Sequence, residues 1–286
     1  MRFGLALSGG GIRGVTHIGV LKALSENSLL PSWISGTSAG SMAAALYACG
    51  YSGEDIESIV LRHMNSNLLD VDYPGITGGI LKWVFTKDTD WDGLIKGKKL
   101  EKLMQELTNG RTMREAQIPL AIPAVNINTG VTVMFVSNKR RLKDTQYIVY
   151  REDVPIYEAV RASIALPAIF QPKMVQGMRL VDGGVTENLP VQVLHRMGAR
   201  KVIGVNLGYS GQRRDGVNNL LEIGSQSIDI MSYYITSLKT KKTDYIINPH
   251  IYDVGLTDTH RIPEMIQKGY DVTIESMNTI KKVVNS

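Results

Sequence analysis

The pentapeptide Gly36-Thr37-Ser38-Ala39-Gly40 carries the spacing Gly-x-Ser-x-Gly. A nucleophilic serine held on a tight turn between a strand and a helix needs such small neighbours. The helix that follows would aim its positive N-terminal end at developing negative charge. A plain Gly/Ser turn is the alternative. A second cluster, Ser8-Gly9-Gly10-Gly11-Ile12-Arg13-Gly14, follows the apolar run Phe3–Leu7. Its Gly9-x-Gly11-x-x-Gly14 spacing suits a dinucleotide loop, which cradles a pyrophosphate. Three successive glycines would equally present backbone N–H groups to the oxyanion of an acyl transfer. The dinucleotide reading requires an acid at the end of the second strand, about 20 residues on. That strand ends Trp33-Ile34-Ser35-Gly36, and Glu26, the nearest acid, falls at the end of the intervening helix.

A serine needs a base to become a nucleophile. None of the five histidines, His17, His63, His195, His250 and His260, stands in a recognisable catalytic setting. One carboxylate stands out. Asp182 closes the run Arg179-Leu180-Val181-Asp182, and Gly183-Gly184 behind it permit a sharp turn and close approach. An aspartate that merely caps the turn is the other reading. No Cys/His cluster has metal-ligand spacing, so no metal is expected. The single cysteine, Cys49, precludes an intrachain disulfide and fits a reducing compartment.

These residues need elements to hold them. Apolar runs at 2–7, 31–35, 179–182 and 201–207 read as buried strands. Residues 120–136 read as two strands around Asn128-Thr129-Gly130. Val15, Ile18, Leu21 and Leu24 recur at helical spacing, Ser41–Ala48 reads as a buried helix, and Leu100, Leu103, Met104 and Leu107 mark another. Pro190 suits a helix start and Gly198 its end, while 217–238 and 264–284 carry helical spacing. Strands alternating with helices predict an α/β fold: a mostly parallel central sheet with helices on both faces. One domain over residues 1–286 is expected, with an irregular insertion or lid near 65–97. Within it, Ile80, Leu81, Val84 and Phe85 would share one face of a lipid-touching helix at 79–91. The uncharged stretches 27–53 and 118–138 are too polar and too interrupted to span a membrane, and the N-terminus does not read as a signal peptide. Net charge is +5, with short basic runs at Lys139-Arg140-Arg141 and Lys239–Lys242. They read as solvated faces with a weak preference for anionic membrane; no aromatic–basic stripe suggests nucleic acid.

Taken in order, the glycine loop with Arg13, the Ser38 pentapeptide and Asp182-Gly183-Gly184 resemble the patatin-like phospholipases of the compact bacterial type. The stretches 94–104 and 159–172 are similar to that family too, and the likeness covers roughly residues 1–210. Ser8 stands where many members have Asp. The resemblance implies a three-layer α/β/α fold and a serine acyl hydrolase acting on lipid acyl esters, phospholipid or lysophospholipid. Ser38 would be the nucleophile and Asp182 the sole general base. Gly9, Gly10, Gly11, Arg13 and Gly14 would form the oxyanion hole, with Gly36, Gly40, Gly183 and Gly184 shaping the turns. It implies no cofactor, a cytoplasmic protein and transient peripheral contact with membrane. Two other readings stay open: a nucleotide-binding oxidoreductase using the glycine loop, and a catalytically weak lipid-binding regulatory protein on the same fold.

Overall fold

The computed structural model describes residues 2–63, 92–209, 211, 217, 220–251, 254 and 258–286. Strand β1 (Gly4–Leu7) leads through a 3-10 turn (Gly11–Val15) into α1 (Thr16–Glu26). Then come β2 (Trp33–Gly36), α2 (Ala39–Ala48), α3 (Gly53–His63) and α4 (Lys98–Leu107). The middle of the chain supplies β3 (Leu120–Asn126), β4 (Thr132–Val136), β5 (Ile148–Arg151), α5 (Ile156–Ser163), β6 (Lys173–Val175) and β7 (Met178–Asp182). A second 3-10 turn (Gly183–Val185) precedes α6 (Val191–Arg196), β8 (Val202–Val205), α7 (Leu220–Lys239), β9 (Tyr245–Ile247) and α8 (Ile262–Asn285). The region of the expected insertion at 65–97 is described only from residue 92, where Ile95 bridges to Phe170. The helix expected at 79–91 lies outside the described residues.

The sheet runs β5-β4-β3-β2-β1-β8-β9, with β7 and β6 branching from β3. It is mostly parallel; the antiparallel pairs are β3–β4, β3–β7 and β6–β7. Alternation along the strands divides the core into two layers. Leu5, Leu7, Ile34, Ile122 and Phe135 pack on one face beneath α1, α2, α5 and α8, while Ala6, Ala121, Met134 and Val136 pack on the other against α6. The result is the three-layer α/β/α arrangement, thick on one side and thin on the other. Several elements were not legible beforehand. Strands β6 and β9 are three residues each, too short to show a period, and α3 buries only Gly53 and Ile56.

Two features of register position the site. β1 and β2 end level, Leu7 opposite Gly36, so the segments leaving them emerge side by side. β2 and β7 share one edge of β3 but run in opposite directions. β2 pairs with Leu120 and Ala121; β7 pairs from Asn126 back to Ala124, ending at Asp182. The C-terminal ends of β2 and β7 therefore point at each other across the short stretch Ile122–Pro123. That gap is where a central strand tolerates a proline, since no ladder N–H is called for there.

Candidate active site

The segment after β2 is held from several directions. The Thr37 N–H donates to the Leu7 carbonyl at 3.1 Å, and its hydroxyl donates to the Glu187 carbonyl at 2.8 Å. The Ser38 N–H donates to the Ser163 hydroxyl oxygen at 3.0 Å. Thus fastened, Ser38 takes φ 52 and ψ −127, a region a non-glycine residue occupies only when its surroundings impose it. A side chain at Gly36 would overlap the Gly40 carbonyl, and one at Gly40 the Ser8 carbonyl, which explains both small residues of the pentapeptide. Helix α2 starts at the next residue, and the serine stays half-buried.

Asp182 arrives from the opposing strand end. It is 3% exposed, and its N–H donates to the Ala165 carbonyl at 2.9 Å. Oδ1 accepts the Gly184 N–H at 2.7 Å, and the Ser38 side chain is near enough to favour the charged form of the carboxyl. A side chain at Gly183 would overlap the Pro123 carbonyl, so this turn closes only with glycine there. Burial pushes the Asp182 carboxyl up from 3.8 to about 7. The Ser38 hydroxyl and the Gly184 N–H oppose that rise, and the nearby Asp229 adds to it.

The histidines with ring hydrogen bonds near this region are turned elsewhere. His17 is fully buried with Nε2 on the Ser8 carbonyl at 2.8 Å, and burial pushes it down to about 4, so it stays neutral. His195 bonds the carbonyls of Ala199 and Lys242 at 2.9 and 3.1 Å.

The glycine loop leaves β1 beside the serine. Its backbone groups are engaged to different degrees. The Gly9 N–H is engaged by Asn188, through Oδ1 at 3.1 Å and the carbonyl at 3.2 Å. The Arg13 N–H donates to the Gly10 carbonyl at 3.2 Å, and Gly14 lies within the 3-10 turn, whose N–H groups bond the turn's own carbonyls. The Gly9 and Arg13 N–H groups are thus already engaged within the described residues. Gly9 and Gly14 permit close approach, to Ser38 and to Ala39. The N–H groups of Gly10 and Gly11 make no hydrogen bond among the described residues. Arg13 orders the loop: its Nε donates to the Gly10 carbonyl at 3.1 Å, and Nη2 pairs with Asp229 at 3.5 Å. Ser8 acts as a strut, accepting the Leu207 N–H at 2.8 Å and donating to the Gly9 carbonyl at 2.9 Å.

Asn188, Ser163 and Asp229 had no sequence signal as site residues. Their partners lie far away in the chain, 179 residues for the Asn188–Gly9 bond and 125 for Ser163–Ser38. The arrangement places a strained hydroxyl against a buried carboxyl, with two open N–H groups on the loop alongside. It is suited to forming and breaking an ester on Ser38. A dinucleotide fits poorly: Glu26 bonds the Tyr270 hydroxyl on α8 at 2.6 Å, at the end of α1 away from the loop.

Comparison with known proteins points the same way. The sequence model of the family described as Patatin-like phospholipase matches residues 5–195. YqhO of Bacillus subtilis (strain 168) is 27% identical over 266 residues, 88% of this chain and 89% of that protein. Patatin-like phospholipase domain-containing protein 6 of Homo sapiens is 32% identical over 214 residues, 71% of this chain but 13% of that protein. The crystal structure of VipD from Legionella pneumophila matches 97% of this chain and 67% of its own with a TM-score of 0.52, at 16% identity, which shows a shared fold. The chain thus spans most of YqhO and a small part of the human protein.

Proposed function

Because this chain belongs to the patatin-like phospholipase family, we propose that it hydrolyses lipid acyl esters through a dyad of Ser38 and Asp182. The observation that carries this reading is the placement of the strained Ser38, after β2, near the buried Asp182 carboxyl that ends β7 and is pushed up to about 7. A carboxylate of ordinary basicity is a poor match for an alcohol; one that titrates near the working pH is a competent general base.

Ser38 Oγ attacks the ester carbonyl carbon while Asp182 accepts its proton. Charge on the carbonyl oxygen is met by the N–H groups of Gly10 and Gly11, where a lost donor typically costs about 3 kcal/mol of barrier. The protonated Asp182 then gives its proton to the departing alcohol, leaving an acyl group on Ser38. Water repeats the sequence with Asp182 again as base, and the acid is released. Asn188, Ser163 and Arg13 hold the loop and the serine turn in place without entering the chemistry. Residues 1–286 act as one catalytic unit in this reading, cytoplasmic and peripheral to membrane.

Fluorophosphonate labelling with peptide mapping tests it. The adduct is expected on Ser38 and absent from Ser38→Ala, together with hydrolysis of a soluble short-chain ester. Asp182→Asn should lose several orders of magnitude in kcat/KM while staying folded. His195→Gln should keep at least about a tenth, a barrier change under ~1.4 kcal/mol. A histidine variant as damaged as Asp182→Asn, with its circular dichroism intact, would replace the dyad by a triad.

A further inference from the structure

Helix α7 is built inside out. Soluble amphipathic helices turn their apolar stripe to the core. Here the inward face is polar. Asp229 pairs with Arg13, the Ser232 hydroxyl donates to the Gly184 carbonyl at 2.8 Å, and Lys239 Nζ bonds Glu187 at 2.6 Å and the Thr186 carbonyl at 2.7 Å. The spacing 229, 232, 236, 239 puts these on one face, with Ser232 and Thr236 buried. The opposite face carries Ile230, Met231, Tyr234 and Leu238, and the last three are 56%, 64% and 68% exposed. Just past the helix, in the turn Thr240–Lys242, Lys241 and Lys242 are exposed.

We propose that this outer face of α7 is the surface by which the protein docks on an anionic lipid bilayer. The inference rests on the reading of the chain as a lipid acyl hydrolase, and it specifies how that site meets its substrate. Two observations select a bilayer as the occupant. The apolar row ends in two exposed lysines on a chain of net charge +5, which complements an anionic headgroup layer. Tyr234 offers an apolar ring with a polar tip, suited to the headgroup boundary. Position adds a reason for the arrangement: the inward face touches the turn that carries Asp182 and the arginine that orders the glycine loop. Seating the outer face among acyl chains brings the catalytic turn to the membrane surface, one helix diameter away.

The test uses the full chain as Ser38→Ala, so that binding is read without turnover. Flotation with phosphatidylcholine vesicles, with and without phosphatidylglycerol, should show binding that requires the anionic lipid. Adding Met231→Ser with Leu238→Ser should weaken binding at least about tenfold. Adding Lys241→Glu with Lys242→Glu should weaken it most at low salt. On the Ser38 background, the apolar pair should leave soluble-ester hydrolysis within about twofold of wild type while vesicle hydrolysis falls about tenfold. Undiminished flotation of the apolar pair would overturn the proposal. So would a dimer, seen by light scattering, that the apolar pair splits, because the face would then be an interface between copies. Failure of docking would leave Ser38 labelling untouched, and failure of the hydrolase reading would leave the flotation result standing.

Discussion

Asp182 is asked to be buried and to carry charge, and the two requirements pull its behaviour in a definite direction. With its folded pKa about 7, above the ordinary 3.8, it is mostly protonated below neutrality and able to take a proton above it. On a soluble ester, kcat/KM should therefore rise along a single limb with an apparent pKa near 7. A flat profile between pH 6 and 8 would exclude Asp182 as the base. Stability moves the opposite way. A group whose pKa is raised by folding stabilises the fold fully below its unfolded value, and that contribution is lost as pH climbs through the folded value. The rise amounts to roughly 4 kcal/mol at about 1.4 kcal/mol per pH unit, an upper figure for a buried group. Asp182→Asn, neutral throughout, should gain in melting temperature relative to the native chain between pH 5 and pH 8. His17 has the reverse sign: its pKa is lowered to about 4 from 6.5, so its contribution is present above 6.5 and lost as pH falls through 4. Ser38 and Asp182 stood out as candidates in the sequence because the glycines that their turns require lie beside them in the chain. Asn188 was not, since nothing near it in the chain reveals that its amide engages Gly9.

At the scale of elements, the alternation of strands and helices was legible, and so were the long helices α7 and α8. Facing was not. Helical spacing shows that α7 has an apolar stripe, but only the contacts of Asp229, Ser232 and Lys239 show that the stripe looks outward. The meeting of β2 and β7 was equally hidden, because β7 joins the sheet by branching from β3 rather than by following its neighbours in order. Another hidden relation is the crossing of α1 by α8. A side chain at Gly19 would overlap the Ile266 carbonyl, and one at Gly269 the Thr16 carbonyl, so the two helices touch through paired glycines. Gly19→Ala must push them apart and should cost about 1–3 kcal/mol, read by urea denaturation. Because α1 follows directly on the glycine loop, kcat should fall more than KM rises. An unchanged unfolding midpoint would show that the crossing accommodates a methyl.

Across the whole molecule, stability is unevenly distributed. β1 sits between β2 and β8 with both faces of the sheet covered, whereas α7 is fastened by polar side chains and keeps an apolar face in water. Amide hydrogen exchange should be fast in α7 and slow in β1, and anionic vesicles should slow it in α7 alone. Equal protection of the two in the free protein would contradict this picture. Among the described residues no helix is long and apolar enough to cross a membrane. The crossing of α1 by α8 also has a meaning for how the protein is made. The ribosome delivers the glycine loop by residue 14, Ser38 and then Asp182, but the helix that clamps α1 is synthesised only from Ile262 onward. A nascent chain thus holds Ser38 and Asp182 well before it holds the helix that packs across α1. If the dyad reading holds, activity on a soluble ester should therefore appear only once α8 has been made.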